Sequence, residues 1–499
     1  MTSYFTPVPL GKSLPQDNPH AVSVSLPTMA DVIGYEENDP AVVDRMESGY
    51  PRFFMNKLVG VLCEATRKIH RIPDSVELLP LMSHQSLSIV ERKFASAIKC
   101  VEEEGCVFLL VEKGSDNLQE IKDFIRHTGI LLSSRKAEDI LFSKGIIPVK
   151  FDESLADEKE ASVSVKTLLS EAYGAGLVEN IFLANSGMNA VYAVFEAINR
   201  FQSNTPRQSV IQAGWLYLDT LEIIRKYSND SILVNSVADP AALEARIISE
   251  HDTIGAVFTE VPNNPLLECV DLPRLYQLCQ VYEIPLIVDA TIGTAFNLDV
   301  LPYCDIAVES LTKFACGKGD VLMGAVILNP QSKLAGKLHC HISQNLVEPY
   351  ARDIQRLAVN MEGYAARVQT VSGNTKRILE YLEQSPAVSR VHSVLHPGSC
   401  ANFQKIRKNP DALPGLISVV FDKGLKYYYD RLRFAKGPTL GTEFTLAMPY
   451  VYLAHYDMVK TPAGRAALER KGLHPELLRI SIGTEPADEI IRALKEAGI

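Results

Sequence analysis

Lys313 lies in Val308-Glu309-Ser310-Leu311-Thr312-Lys313-Phe314, where a strand-like apolar run gives way to the glycine-broken Gly317-Lys318-Gly319-Asp320. An amine bracketed by the hydroxyls of Ser310 and Thr312 can attack an aldehyde and hold it as a Schiff base. Asp289 ends the apolar Pro285-Leu-Ile-Val, where a carboxylate can meet a ring at a sheet edge and keep a pyridine nitrogen protonated. Ser186-Gly187-Met188 falls between a strand and a helix, so backbone N–H groups at a helix N-terminus can receive a phosphate. Each feature alone has an ordinary meaning: a solvated lysine, a turn aspartate, a serine cap. Together, in this order, they provide for an aldehyde, a protonated ring and a phosphate, the three parts of pyridoxal 5'-phosphate. Glu260-Val261-Pro262-Asn263-Asn264-Pro265 ends another strand and offers the Asn264 amide to a ring hydroxyl, and Tyr217 can stack on the ring. No Gly-x-Gly-x-x-Gly or Walker sequence accompanies these residues, which disfavours a dinucleotide or a nucleoside triphosphate.

These residues need a sheet to converge on. Residues 160–330 alternate helix and strand, with strands expected near 181–184, 210–212, 232–234, 256–259, 285–288 and 305–308. Helices are expected at 163–173, from Ser186 to 197, at 238–251 and at 272–282. The pattern predicts an α/β fold with a mainly parallel sheet covered on both faces, where ligands bind at the carboxyl ends of the strands. Beyond Pro330, a long helical stretch at 348–383 leads into a smaller α+β region with strands near 415–421 and 478–482. Residues 1–60 read as an irregular arm, and 61–150 as an inserted α/β section with a strand near 105–111, a helix near 117–127 and no chemistry of its own. The domain expectation is therefore 1–60, 61–150, 151–335 for the large cofactor-binding domain, and 336–499 for the C-terminal domain.

Composition bounds what such a site can serve. The chain has 499 residues, 46% hydrophobic and 22% charged, an ordinary globular balance with material for several cores. A net charge of -10 argues against nucleic acid or an anionic membrane as partner. The nine cysteines show no paired spacing, so no metal site or disulfide framework is expected and a reducing compartment fits. No secretory signal and no membrane-spanning apolar run is evident, which makes cytoplasm the default expectation.

At this point the sequence resembles the Cys/Met-metabolism group of fold-type I pyridoxal phosphate enzymes, the group of cystathionine γ-synthase, cystathionine lyases and homoserine-ester sulfhydrylases. The Glu-x-Pro-x-Asn-Pro and Ser-x-Thr-Lys motifs carry the resemblance, which runs from about Ala21 to the C-terminus apart from 60–150. His20-Ala-Val-Ser-Val-Ser-Leu-Pro-Thr, Gly49-Tyr-Pro-Arg-Phe-Phe and Tyr217-x-Asp-Thr are most similar to the fungal cystathionine γ-synthase branch. The resemblance implies that Lys313 forms the Schiff base and, with Tyr217, the catalytic pair, and that Asp289 pairs with the ring nitrogen. Ser186, Gly187, Met188, Ser310 and Thr312 would hold the phosphate, helped by Tyr50 and Arg52 from a neighbouring subunit. Asn264 and Thr291 complete the cofactor set, and Arg479, with Thr439, would bind the substrate carboxylate.

The implied reaction is γ-replacement on an activated homoserine, the O-acetyl or O-succinyl ester, through a vinylglycine-type intermediate, with an amino-acid substrate and a nucleophilic co-substrate. The implied assembly is a homo-oligomer, a dimer of dimers with shared active sites. A carbon or nitrogen nucleophile, or β- or γ-lyase chemistry, are the alternatives. The family's Gly-His-Ser-Asp after the lysine is Gly317-Lys318-Gly319-Asp320 here and its Gly-Gly is Met323-Gly324, departures expected to fall where substrates enter.

Overall fold

Seven strands form the sheet beneath the site, in the order Ile181–Ala184, Gly324–Leu328, Ile306–Glu309, Leu286–Asp289, Ile254–Glu260, Ser209–Ala213 and Asp230–Val234. All pairs are parallel except those made by Gly324–Leu328, which runs antiparallel to both neighbours. This computed structural model describes residues 5–94, 98–237 and 240–499. The first four positions of the expected arm and the first two of the expected helix at 238–251 lie outside them.

The strands are nearly continuous apolar runs because both sheet faces are covered. Alternation divides their side chains between two cores: Leu286 and Val288 pack on one side with Ala161, Leu275 and Val371, and Ile287 and Val308 on the other with Val191, Leu338 and Phe124. A second, five-stranded sheet near the C-terminus has the order Val388–His392, Leu416–Phe421, Leu478–Ser481, Leu446–Pro449, Ala435–Lys436. It carries Arg479 toward the carboxyl edge of the first sheet. Among the described residues no helix is long and apolar enough to cross a membrane.

Three expectations change. The arm holds a regular helix, Met29–Glu36, because Thr28 and Asp31 form a capping box: Asp31 N–H donates to Thr28 Oγ1, and Thr28 N–H donates to the Asp31 carboxylate at 2.9 Å. The long helical stretch is two helices, Ala351–Met361 and Tyr364–Gln384. The divisions at 60 and 335 fall inside helices Lys57–Ile69 and Lys333–Asn345. Residues 61–150 form a three-stranded antiparallel sheet, Val76–Leu81, Cys106–Glu112 and Cys100–Glu103, with flanking helices that share a core with the large sheet.

Candidate active site

A cavity of about 800 Å³ opens at the carboxyl edge of the large sheet. Strand Leu286–Asp289 delivers Asp289, strand Ile306–Glu309 leads into the turn bearing Ser310 and Lys313, and the second sheet closes the cavity with Arg479. Lys313 Nζ lies 4.3 Å from the Tyr50 ring centroid and donates to Thr439 Oγ1 at 3.1 Å. Burial pushes its ammonium below the ordinary lysine range; Tyr50 opposes the shift, and Arg479 and Arg52 add to it. The result is a more readily neutral, nucleophilic amine. Asp289 accepts the Thr291 N–H at 2.9 Å, and burial raises its carboxyl above the usual range against the Thr291 bonds. A buried acid with so few donors favours a cationic partner.

The opposite end is built for an anion. Helix Gly187–Gln202 starts at this edge, with the Asn189 N–H donated to Ser186 Oγ at 3.0 Å. That leaves the Gly187 and Met188 N–H groups at the helix start, where no intrahelical acceptor exists. Ser186 Oγ itself donates to the Gly129 carbonyl at 2.8 Å, so the hydroxyl is a tie to the inserted section and the backbone is the free donor. A Cβ at Gly187 would stand 2.7 Å from Ser310 Cβ, so only glycine lets the helix start meet the lysine turn. Thr291 Oγ1 accepts the Ser310 N–H at 2.8 Å and fixes that turn.

Tyr50 and Arg52 line this end of the cavity within the one chain described. The reason is local: a buried guanidinium needs a counter-ion, and Arg52 ion-pairs with Asp219, bonds the Tyr217 hydroxyl and donates to the Arg126 carbonyl at 3.3 Å. Burial works against the Arg52 charge, but Asp219, then Tyr217 and Tyr50, hold its pKa above the ordinary value. Burial works against the Tyr50 phenolate too, yet Lys313 and Arg52 bring its pKa below the ordinary tyrosine value. Thr312 is the one expected residue that does not reach the cavity. Its hydroxyl donates to the Met323 carbonyl at 3.3 Å and accepts the Met323 N–H at 3.1 Å, closing the loop that follows Lys313.

Arg479 is 4% exposed and, among the described residues, has no carboxylate partner. Its Nη1 donates to Asn264 Oδ1 at 3.2 Å and its Nη2 to the Thr439 carbonyl at 2.9 Å, so Asn264 and Thr439 aim the fork. Burial pushes the guanidinium down to about 10. An uncompensated buried fork matches a carboxylate. Glu36, Glu37 and Asp457 also line the cavity, together with Lys460, which pairs with Asp457 at 2.5 Å. Burial, then Asp457, raises Glu36 to about 7.

The departures after the lysine do not fall at the entrance. Lys318 is exposed and pairs with Glu443 at 2.5 Å, Gly319 accepts the Val22 N–H at 2.9 Å, and Met323 is fully buried. Of that loop, Leu322 is the residue that lines the cavity beyond Lys313.

Three acids escaped the sequence reading. Glu260 accepts the Tyr217 N–H, Asp219 neutralises Arg52, and Glu309 accepts the hydroxyls of Tyr173 and Tyr364 at 2.6 Å each. Each stood inside a quoted motif; Glu260 and Glu309 end apolar strands, while Asp219 lies in the first turn of helix Leu218–Tyr227.

Comparison with known proteins bears on this geometry. Residues 165–498 match the family described as Cys/Met metabolism PLP-dependent enzyme. An L-2-amino-4-chloropent-4-enoate dechlorinase/desaturase of Streptantibioticus cattleyicolor is 35% identical over 96% of both chains. A cystathionine γ-synthase of Neurospora crassa is 30% identical over 98% of this chain and 99% of its own. The crystal structure of cystathionine γ-synthase from Xanthomonas oryzae pv. oryzae, in complex with aminoacrylate and cysteine, superposes with a TM-score of 0.58 at 22% identity. That match covers 68% of this chain and 86% of the other, and shares the fold-type I architecture.

Proposed function

The chain belongs to the Cys/Met metabolism family of pyridoxal phosphate-dependent enzymes, and from that premise we propose that it expels a substituent from the γ-carbon of an L-α-amino acid and replaces it with a nucleophile. The observation that carries the reading is the pairing, in one cavity, of a depressed lysine amine with a buried arginine lacking a counter-ion. When bound, the cofactor supplies an electron sink that acidifies the Cα proton.

The chain's own residues do the rest. Arg479 grips the α-carboxylate and orients the Cα–H bond, with Asn264 and Thr439 holding the fork. Asp289 would anchor the ring nitrogen, and the Gly187 and Met188 N–H groups, Ser310, Tyr50 and Arg52 would hold the phosphate. With the cofactor held, Lys313 would move the protons at Cα and Cβ, and Tyr50, whose ring centroid lies 4.3 Å from its Nζ, favours the charged form of that amine. The substrate is an O-acetyl or O-succinyl ester of homoserine: Glu36, Asp457 and the Lys460 paired with Asp457 all line the cavity and do not choose between the two.

A second reading is elimination without replacement, favoured by the 35% full-length identity to the dechlorinase/desaturase. Incubation of the holoenzyme with O-acetylhomoserine, with and without L-cysteine, and with 2-amino-4-chloropent-4-enoate separates the two. Acetate release together with a cysteine-dependent product supports replacement. Chloride release alone supports elimination, and retention of the γ-substituent in both substrates overturns the proposal.

A further inference from the structure

The section at 61–150 meets the phosphate end of the cavity through one turn. Helix Leu118–Thr128 ends there on Gly129, which has a φ of 66°. The last carbonyls of a helix have no intrahelical donor, and here the cradle supplies donors to this turn. The Arg126 carbonyl accepts from Arg52 Nη1 at 3.3 Å, the Gly129 carbonyl from Ser186 Oγ at 2.8 Å, and the Leu131 carbonyl from Asn185 Nδ2 at 3.1 Å. His127, fully buried, lies 3.7 Å from Asp219, the carboxylate that neutralises Arg52. The negative end of one helix thus faces the guanidinium, and the positive start of another, Gly187–Gln202, is tied to the same turn. A Cβ at Gly129 would stand 2.1 Å from Ser186 Oγ and 3.0 Å from Met188 Cβ, so no space separates the turn from that helix start.

We infer that Gly129 is a positioning residue for the cofactor's phosphate: through its turn, the inserted section sets where the Gly187 and Met188 N–H groups point and where the Arg52 charge stands. A phosphate is held by several donors at once, so each must be aimed before it arrives. The Ser186 hydroxyl has one proton. With the Gly129 carbonyl taking that proton, a lone pair of the oxygen is left for the Asn189 N–H, which donates to it at 3.0 Å, and the cap of the helix start is fixed from the inserted section. Asn185, next in sequence, is 6% exposed, and its Oδ1 is buried with no hydrogen-bond partner among the described residues. The bond to Leu131 is therefore what its amide contributes. Arg52 has the Arg126 carbonyl as a further acceptor beside Asp219. These contacts join the section to groups that would hold the phosphate, and the ring end of the cavity takes no part in them.

The inference rests on cofactor binding in this cavity but not on the reaction proposed above, and its test needs no turnover. The full-length protein, freed of cofactor, is titrated with pyridoxal phosphate and with pyridoxal, which lacks the phosphate, while the visible band of the bound aldehyde is followed. Gly129→Ala, whose methyl group forces Ser186 and the helix start aside, weakens pyridoxal phosphate by about tenfold or more and pyridoxal by less than about twofold. Asn185→Ala moves the ratio of the two affinities in the same direction by about threefold. Lys136→Ala is the comparison: its Nζ donates to the Met82 and Gly105 carbonyls inside the section, so its loss lowers thermal stability and leaves the ratio unchanged. A Gly129→Ala ratio equal to that of wild type, or a Lys136→Ala ratio that falls as far, makes the section a general support of the fold and overturns the inference. If Gly129→Ala does not fold, an unmoved ratio in Asn185→Ala overturns it equally.

Discussion

Arg479→Met separates what the buried guanidinium does for the ligand from what it does for the fold. Burial pushes Arg479 well below the ordinary arginine value, down to about 10. At about 1.4 kcal/mol per unit, keeping it charged costs the fold about 3 kcal/mol. Methionine, of similar reach, relieves that cost but leaves Asn264 Oδ1 and the Thr439 carbonyl without their donor. Each buried acceptor left unmet costs about 1–3 kcal/mol, so the two effects nearly cancel and the denaturation midpoint of the variant stays near that of the parent. Ligand binding has no such cancellation. Truncating one partner of a buried charge pair costs about 2–5 kcal/mol, or roughly thirtyfold to several-thousandfold in affinity for the amino acid. The assay is a spectroscopic titration of the holoenzyme with an unreactive amino acid, run beside urea denaturation of the same preparations. Arg479→Lys, which keeps charge without the fork, falls between the two. An affinity loss below about fivefold in Arg479→Met, or a stability loss well above 3 kcal/mol, refutes the reasoning, because the guanidinium would then be a structural tie and not a carboxylate receptor.

Two further outcomes follow from the phosphate end. Asp219→Asn leaves Arg52 buried without its counter-ion, so the apoprotein loses about 3–5 kcal/mol by urea denaturation. Much of that loss returns on adding cofactor, whose phosphate replaces the lost anion; equal losses in apo and holo forms would contradict the shared role. His127 is buried 3.7 Å from Asp219, and burial first, with Arg126 added, lowers it from 6.5 to about 4. A depressed folded value means the contribution to stability is present above the unfolded value of 6.5 and is lost as pH falls toward about 4. The loss reaches about 3 kcal/mol, and His127→Gln flattens that part of the stability profile, measured as urea midpoint against pH. A profile of unchanged slope in the variant contradicts the assignment.

The sheet, the lysine turn at its edge and the strand-end aspartate were legible because each is a local pattern: an apolar run, a helix start, and a polar residue where the run stops. Arg479 was legible through the family resemblance, since nothing in Leu478-Arg479-Ile480-Ser481 distinguishes a receptor from a buried arginine. The acids were not legible, because the value of Asp219, Glu260 and Glu309 lies in partners 136 residues away for Glu309 with Tyr173 and 167 for Arg52 with Asp219. Thr312 misled for the opposite reason: a hydroxyl beside the lysine carries no sign of whether it turns to the cavity or to Met323. Of the loop from Lys318 to Met323, Leu322 borders the cavity while Lys318 and Met323 do not, and adjacency to Lys313 in sequence does not tell them apart.

The central claim is that Lys313 carries the cofactor. Reducing the holoenzyme with borohydride, digesting it and mapping the fragments by mass spectrometry tests this most directly. The account predicts a pyridoxyl adduct on the peptide containing Lys313, absent in Lys313→Ala. An adduct confined to another lysine, or one unchanged in Lys313→Ala, would contradict it.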